Sequence, residues 1–164
     1  MTLSLLKLSG PQRIIMRHLR RANCPDRLKQ RAALAAEILA AGADLVILIG
    51  APGLLHPRSG TALLHMSEAH EGRALMEFAC VPGRRLLPVD CADFRMPWAA
   101  GPAVAIPRLL HDAVGGYDER LGSDGTERDY SQRARALGFE VLLCPRALFY
   151  ADPSPASAGD RRVA

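Results

Sequence analysis

Glu127 and Asp129 stand two residues apart in GSDGTERDYSQRARALG, at the front of a run whose spacing predicts a helix ending at Gly138. Acidic groups in or before a first helical turn, Asp124 among them, are favoured by the helix dipole and by unsatisfied amides whether or not they do chemistry. Arg128, Arg133 and Arg135 on the same run are either solvated helix charges or partners of those acids. A second concentration of interest is LVILIGAPGLLHP, in which five apolar residues run into the turn Gly50 to Gly53 and leave through His56. A histidine after a strand-end turn is more often a hydrogen-bonded structural residue than a catalyst. Trp98, the only tryptophan, either offers an apolar ring face to a sugar or fills a gap beneath its loop. The histidines at 18, 65, 70 and 111 have no partner at ligand spacing, and the four cysteines form no C-x-x-C pair, so neither a zinc site nor a disulfide framework is indicated.

The elements that must position these residues follow an α/β pattern. QRIIMRHL reads as a strand, Arg27 to Ala40 as an amphipathic helix stopped by Gly42, and DLVILIG as an unbroken apolar strand that belongs in the middle of a sheet covered on both faces. PRSGTALLHMSEAHEG predicts a helix, ALMEFACV and RRLLPVD two shorter strands, GPAVAIP another, and FEVLLCP a closing strand after the helix that carries Glu127. In an open α/β sheet ligands bind at the carboxyl ends of the strands, which directs attention to Gly50 to Gly53.

Composition narrows the class. A chain of 164 residues with 49% hydrophobic content suits one domain with a real core. The net charge of +4 comes from scattered arginines, and aromatics make up only 5% of residues, so no nucleic-acid partner is expected. No run approaches the ~18 apolar residues of a bilayer span, and MTLSLLKLSG lacks signal-peptide features. The expected location is cytoplasmic, with peripheral attachment to the inner face of the membrane left open. ADPSPASAGDRRVA is expected to fray, which gives a folded unit over 1–150 and a flexible tail over 151–164.

Two separated segments resemble the family 2 glycosyltransferases of GT-A fold. ADLVILIGAPGLLHP is similar to the family's aDyvlflDaDdllhP through Asp44, the apolar strand, Leu54, Leu55, His56 and Pro57, with Gly50 and Pro52 where the family has two metal-binding aspartates. AAGPAVAIPRLLHDAVGGYDERLG and the helix after it resemble the second half, through Gly101, Ile106, Arg108, Gly115, Gly116, Tyr117, Asp118, Glu119, Arg133, Arg135 and Gly138. The resemblance implies an incomplete GT-A, Rossmann-like mixed sheet flanked by helices, and transfer of a sugar, of hexosyltransferase type, from a nucleotide-sugar donor to a carbohydrate acceptor, as in polysaccharide-building enzymes. It places Glu127 at the position of the general base, with Asp129 beside it. It makes Trp98, Arg108, Gly115, Gly116, Asp118 and Arg133 candidates for substrate contact, and Gly50, Pro52 and His56 the donor-side turn. No metal cofactor is expected, because neither Gly50 nor Pro52 has a side-chain oxygen, and arginine would have to supply the missing charge. The family's first nucleotide-binding βαβ unit needs about 30 residues; only eleven precede Gln12. The readings are therefore a shortened or degenerate transferase domain, a misplaced gene start, or a partner chain that supplies the nucleotide half. A non-catalytic binding or assembly module is the alternative function. A generic nucleotide binder is disfavoured by the lack of a G-x-G-x-x-G or Walker-type loop.

Overall fold

The structure is a computed structural model that describes residues 3–6, 14–18, 42–82, 87–118, 120–121 and 123–152. The predicted helix Arg27 to Ala40, Glu119 and the tail beyond Asp152 lie outside the described residues. In chain order the elements are β1 (Leu3–Leu6), β2 (Ile14–His18), β3 (Leu45–Ile49), β4 (Gly53–Leu55), α1 (Ser59–Ala69), β5 (Ala74–Val81), β6 (Ala103–Pro107), α2 (Arg108–Val114), α3 (Ser123–Ala136) and β7 (Glu140–Ala151).

The strands form one mixed seven-stranded sheet of order β1-β2-β3-β6-β5-β7-β4. β3 runs parallel to β2 and antiparallel to β6, β5 antiparallel to β6 and parallel to β7, and β4 antiparallel to β7. The carboxyl ends of β3, β5 and β7 therefore share one rim, which also receives the turn Gly50 to Gly53.

Alternation divides the strand side chains between two cores. On one face Val46, Leu48, Leu75, Val104, Ile106, Val141 and Leu143 pack with Leu110 of α2 and Tyr130 and Ala134 of α3. On the other, Leu45, Ile47, Ile49, Met76, Phe78, Ala105 and Leu142 pack with Leu63 of α1 and with Phe149. All five residues of β3 are buried, as expected of an apolar strand covered on both sides.

Several boundaries differ from the sequence reading. The strand at Leu3–Leu6, antiparallel to β2, has no counterpart in it. Gly53–Leu55 is a strand rather than the exit of a turn, because β7 continues past Pro145 and offers it an edge. Between Cys144 and Leu148 the β5–β7 register jumps, with Pro145 and Arg146 exposed at the irregularity, which is where a residue without an amide proton fits. The predicted strand RRLLPVD is not one over its described residues 87–90; Leu87 and Val89 instead pack against the α2/α3-side core.

Candidate functional site

The segment Pro97 to Pro102 organises the rim. Its approach, Phe94 to Met96, runs along the first half of β7: Leu143 N–H donates to Phe94 O, and Met96 N–H donates to Val141 O. From there the chain crosses the α3 face of the sheet to reach β6 and is tied at each step. Arg135 Nη1 donates to Pro97 O at 3.2 Å, and the Arg128 guanidinium lies 4.9 Å from the Trp98 ring centre. Ala99 N–H donates to Ser131 Oγ at 3.1 Å, and that hydroxyl donates to Glu127 O, four residues back on the helix, at 2.8 Å. Ala100 and Gly101 both donate to Glu77 Oε2, at 2.8 and 3.0 Å, and Pro102 O accepts from Gly50 N–H at 2.7 Å. One loop thus connects the turn at the end of β3 to the first turns of α3.

Glu127 is half-buried and borders a narrow crevice with Leu75, Ala99, Val104, Tyr117, Tyr130 and Ser131. Tyr117 and Tyr130 stack at 4.4 Å between ring centres. The Tyr130 hydroxyl is fully buried with no hydrogen-bond partner, and burial pushes its pKa up. Arg133, two turns along from Glu127, is occupied within the protein. Nε donates to Asp129 Oδ2 at 2.7 Å, Nη1 to Val114 O and Nη2 to Gly116 O. Asp129 and Arg133 therefore form an i,i+4 pair that pins the α2–α3 corner.

The remaining candidates are dispersed. Gly115 ends α2 at φ +78, a conformation that favours glycine, and Gly116 supplies a carbonyl to Arg133. Asp118 accepts from Arg120 through backbone and guanidinium, which holds its carboxyl down at about 2. Arg108 is not at this rim. It follows β6 at the amino end of β3, with its amide on Asp44 O and its guanidinium on Ala43 O, beside a hollow bordered by Asp44, Glu68 and Glu71. Carboxylates around it repel an anionic donor, so the substrate contact expected of Arg108 has no support in its surroundings.

The two positions of the donor-side turn where the family has aspartates bring no carboxylate. Gly50 and Pro52 carry no side-chain oxygen, Pro52 O already accepts from Asp152 N–H at 3.0 Å, and His56 Nδ1 accepts from Arg58 N–H at 3.2 Å. No group of three or more His, Cys, Asp or Glu among the described residues could hold a metal ion. Burial raises the thiol pKa of Cys80 and Cys144, which disfavours either as a nucleophile.

Sequence reasoning missed Glu77 and the uncovered face around Tyr150. A glutamate inside the apolar strand ALMEFACV is a readable sign of a buried carboxylate that must find donors. Nothing local announces that those donors are the amides of Ala100 and Gly101.

No protein-family model matches the chain, and no curated protein matches it. Among solved structures it is similar to GalNAc-T7, crystallised with UDP, GalNAc and Mn2+, with a TM-score of 0.56 and 16% identity over 72% of this chain. The chain spans about 30% of that structure's own length. The likeness defines the fold: a mixed α/β sheet flanked by helices that matches part of a GT-A-like fold. No helix among the described residues is long and apolar enough to cross a membrane.

Proposed function

We propose that the chain is a glycosyltransferase-like domain of the family 2 kind, transferring a sugar from a nucleotide-sugar donor to a carbohydrate hydroxyl. The observation that carries this reading is the single loop, Trp98 to Pro102, that ties the Gly50 turn to the α3 turn bearing Glu127 on a GT-A-like sheet. In the reaction, the acceptor oxygen attacks the anomeric carbon as the bond from that carbon to the diphosphate oxygen breaks. The hydroxyl proton passes to the Glu127 carboxylate, and the diphosphate leaves with the electron pair. Guanidinium groups meet the charge that develops on the leaving group. Arg133 and Arg108 donate to the chain's own carbonyls, so Arg128, over the Trp98 ring, is the better placed cation beside Glu127.

Calorimetric titration of the purified chain with UDP-GalNAc and a GDP-hexose, with and without Mn2+, tests the reading. The expected result is binding whose heat does not change with Mn2+, and turnover that falls at least about 100-fold in Glu127→Gln, the scale of a lost general base. Binding that requires Mn2+ would overturn the metal-free turn. Absence of nucleotide binding would leave the non-catalytic module.

A further inference from the structure

Glu77 is 8% exposed, on β5, facing the α3 side of the sheet, and one of its oxygens accepts two successive backbone amides. A buried carboxylate is costly unless it is hydrogen-bonded, and charge-assisted bonds from fixed amides are among the stronger ones available. The fit is close on both sides. A Cβ added at Gly101 would stand 2.7 Å from Glu77 Cγ and Cδ and 2.9 Å from Oε1, so the loop approaches this carboxylate to a distance that only glycine permits. The residues on either side of the clamp are the ones that matter to the rim. Ala99 reaches Ser131 and through it Glu127, Trp98 meets Arg128, and Pro102 meets Gly50.

We infer that Glu77 is a positioning residue: its carboxylate fixes the Trp98 to Pro102 wall and thereby the spacing between the Gly50 turn and Glu127. The inference rests on the reading of that rim as a transferase site only for what the spacing serves; the clamp itself is tested without any ligand. It makes Glu77 the middle of three anchors, between Ser131 on α3 and Gly50 just after β3, and explains why a strand otherwise made of apolar residues carries an acid.

Trp98 is the only tryptophan of the chain and lies within the clamped loop, so its emission reports the wall directly. In the full chain, Glu77→Ala is expected to red-shift Trp98 emission and to raise its acrylamide quenching constant about two- to threefold, as a packed indole becomes wetter. Glu77→Gln, which keeps an acceptor oxygen, is expected to restore most of both. Gly101→Ala pushes the same carboxylate off the amides without removing its charge and is expected to reproduce the Glu77→Ala spectrum, which keeps the inference testable should Glu77→Ala fail to fold. Ser59→Ala is the control for general destabilisation: Ser59 is buried on the α1 side, bonded to Leu148, and its loss should lower the melting temperature with Trp98 emission unchanged. UDP titration of the same proteins supplies the functional arm, with affinity weakened about tenfold in Glu77→Ala and rescued in Glu77→Gln. Folded Glu77→Ala or Gly101→Ala protein with wild-type Trp98 emission and quenching would overturn the clamp. An altered Trp98 in a chain whose wild type ignores UDP would retain the clamp and sink the transferase reading instead.

Discussion

Tyr130 shows how a single atom can be out of step with its surroundings. The ring is fully buried, stacks on Tyr117 and forms part of the α3-side core, yet its hydroxyl has no partner. A buried hydroxyl without a hydrogen bond forfeits its solvation and gains nothing in exchange, at a cost of about 1–3 kcal/mol. Tyr130→Phe keeps the stack and removes the orphan, so it is expected to leave stability unchanged or raise it by about 1 kcal/mol in urea unfolding. A loss of more than about 1 kcal/mol would mean that the hydroxyl has a partner after all. The charged residues of the same helix behave in the opposite way. Asp129 and Arg133 could be read from sequence as an i,i+4 pair, and they are one, but Arg133 also takes two carbonyls at the α2–α3 corner, and only the fold brings those within reach. Gly53 carries a similar lesson. In sequence it belongs to a turn, whereas in the structure a Cβ there would meet Tyr150 O at 2.3 Å and Phe149 Cζ at 2.6 Å, so it is the residue that lets β4 lie against β7.

At the scale of elements, what the sequence made legible was hydrophobic continuity, and what it hid was pairing. β3, β5 and β6 follow from their apolar runs almost to the residue. β4 is three residues long and exists because β7 lies beside it, and β7 itself runs through Pro145 by way of a register jump, where a proline alone reads as the end of the strand. α3 begins at Ser123, four residues before the first residue of ERDYSQRARALG, since Thr126 is buried and bonds Leu121 O where a sequence reading sees a polar loop. The short helix α2 contributes a pH dependence of its own. His111, with Nδ1 unpartnered, has its pKa lowered from 6.5, chiefly by burial and against the pull of Asp112. Its unfolded form therefore binds a proton more readily than its folded form, so stability rises with pH across the interval between the two values. The contribution is complete above 6.5 and is lost as pH falls below it toward the folded value. Urea unfolding at pH 7.5, 6.5 and 5.5 is expected to show His111→Leu losing less stability than the wild type over that descent. A parallel descent in the two proteins would mean that His111 charges as freely folded as unfolded. A separate acid limb belongs to Glu140, lowered from 4.5 first by its Arg95 hydrogen bond and also by His70, which adds stability above 4.5 and gives it up as pH falls through the folded value.

Among the described residues, an uncovered apolar row at the sheet edge follows from the strand pairing. Leu54 pairs across the sheet with Tyr150, and Tyr150 with Val81, so these three side chains form a single row on the α3 face, 70%, 39% and 38% exposed. The row lies past the covered part of the sheet at the carboxyl rim, and β4 is an edge strand whose outer side has no neighbour among the described strands. Apolar side chains on a sheet edge promote association between molecules, whereas a lysine there blunts the edge. Leu54→Lys is therefore expected to raise solubility, seen as less light scattering at a given protein concentration, while the melting midpoint moves by the equivalent of no more than about 0.5 kcal/mol. The adjacent residue gives the contrast that makes the argument specific. Leu55 points to the opposite face and packs against the core that contains Phe149 and Leu63, so Leu55→Lys must bring an ammonium to that core and is expected to destabilise by roughly 2 kcal/mol or more. Because successive residues of a strand face opposite sides, equal effects of the two lysines would contradict the β4–β7 register itself, and with it the placement of the Gly50 turn beside Asp152.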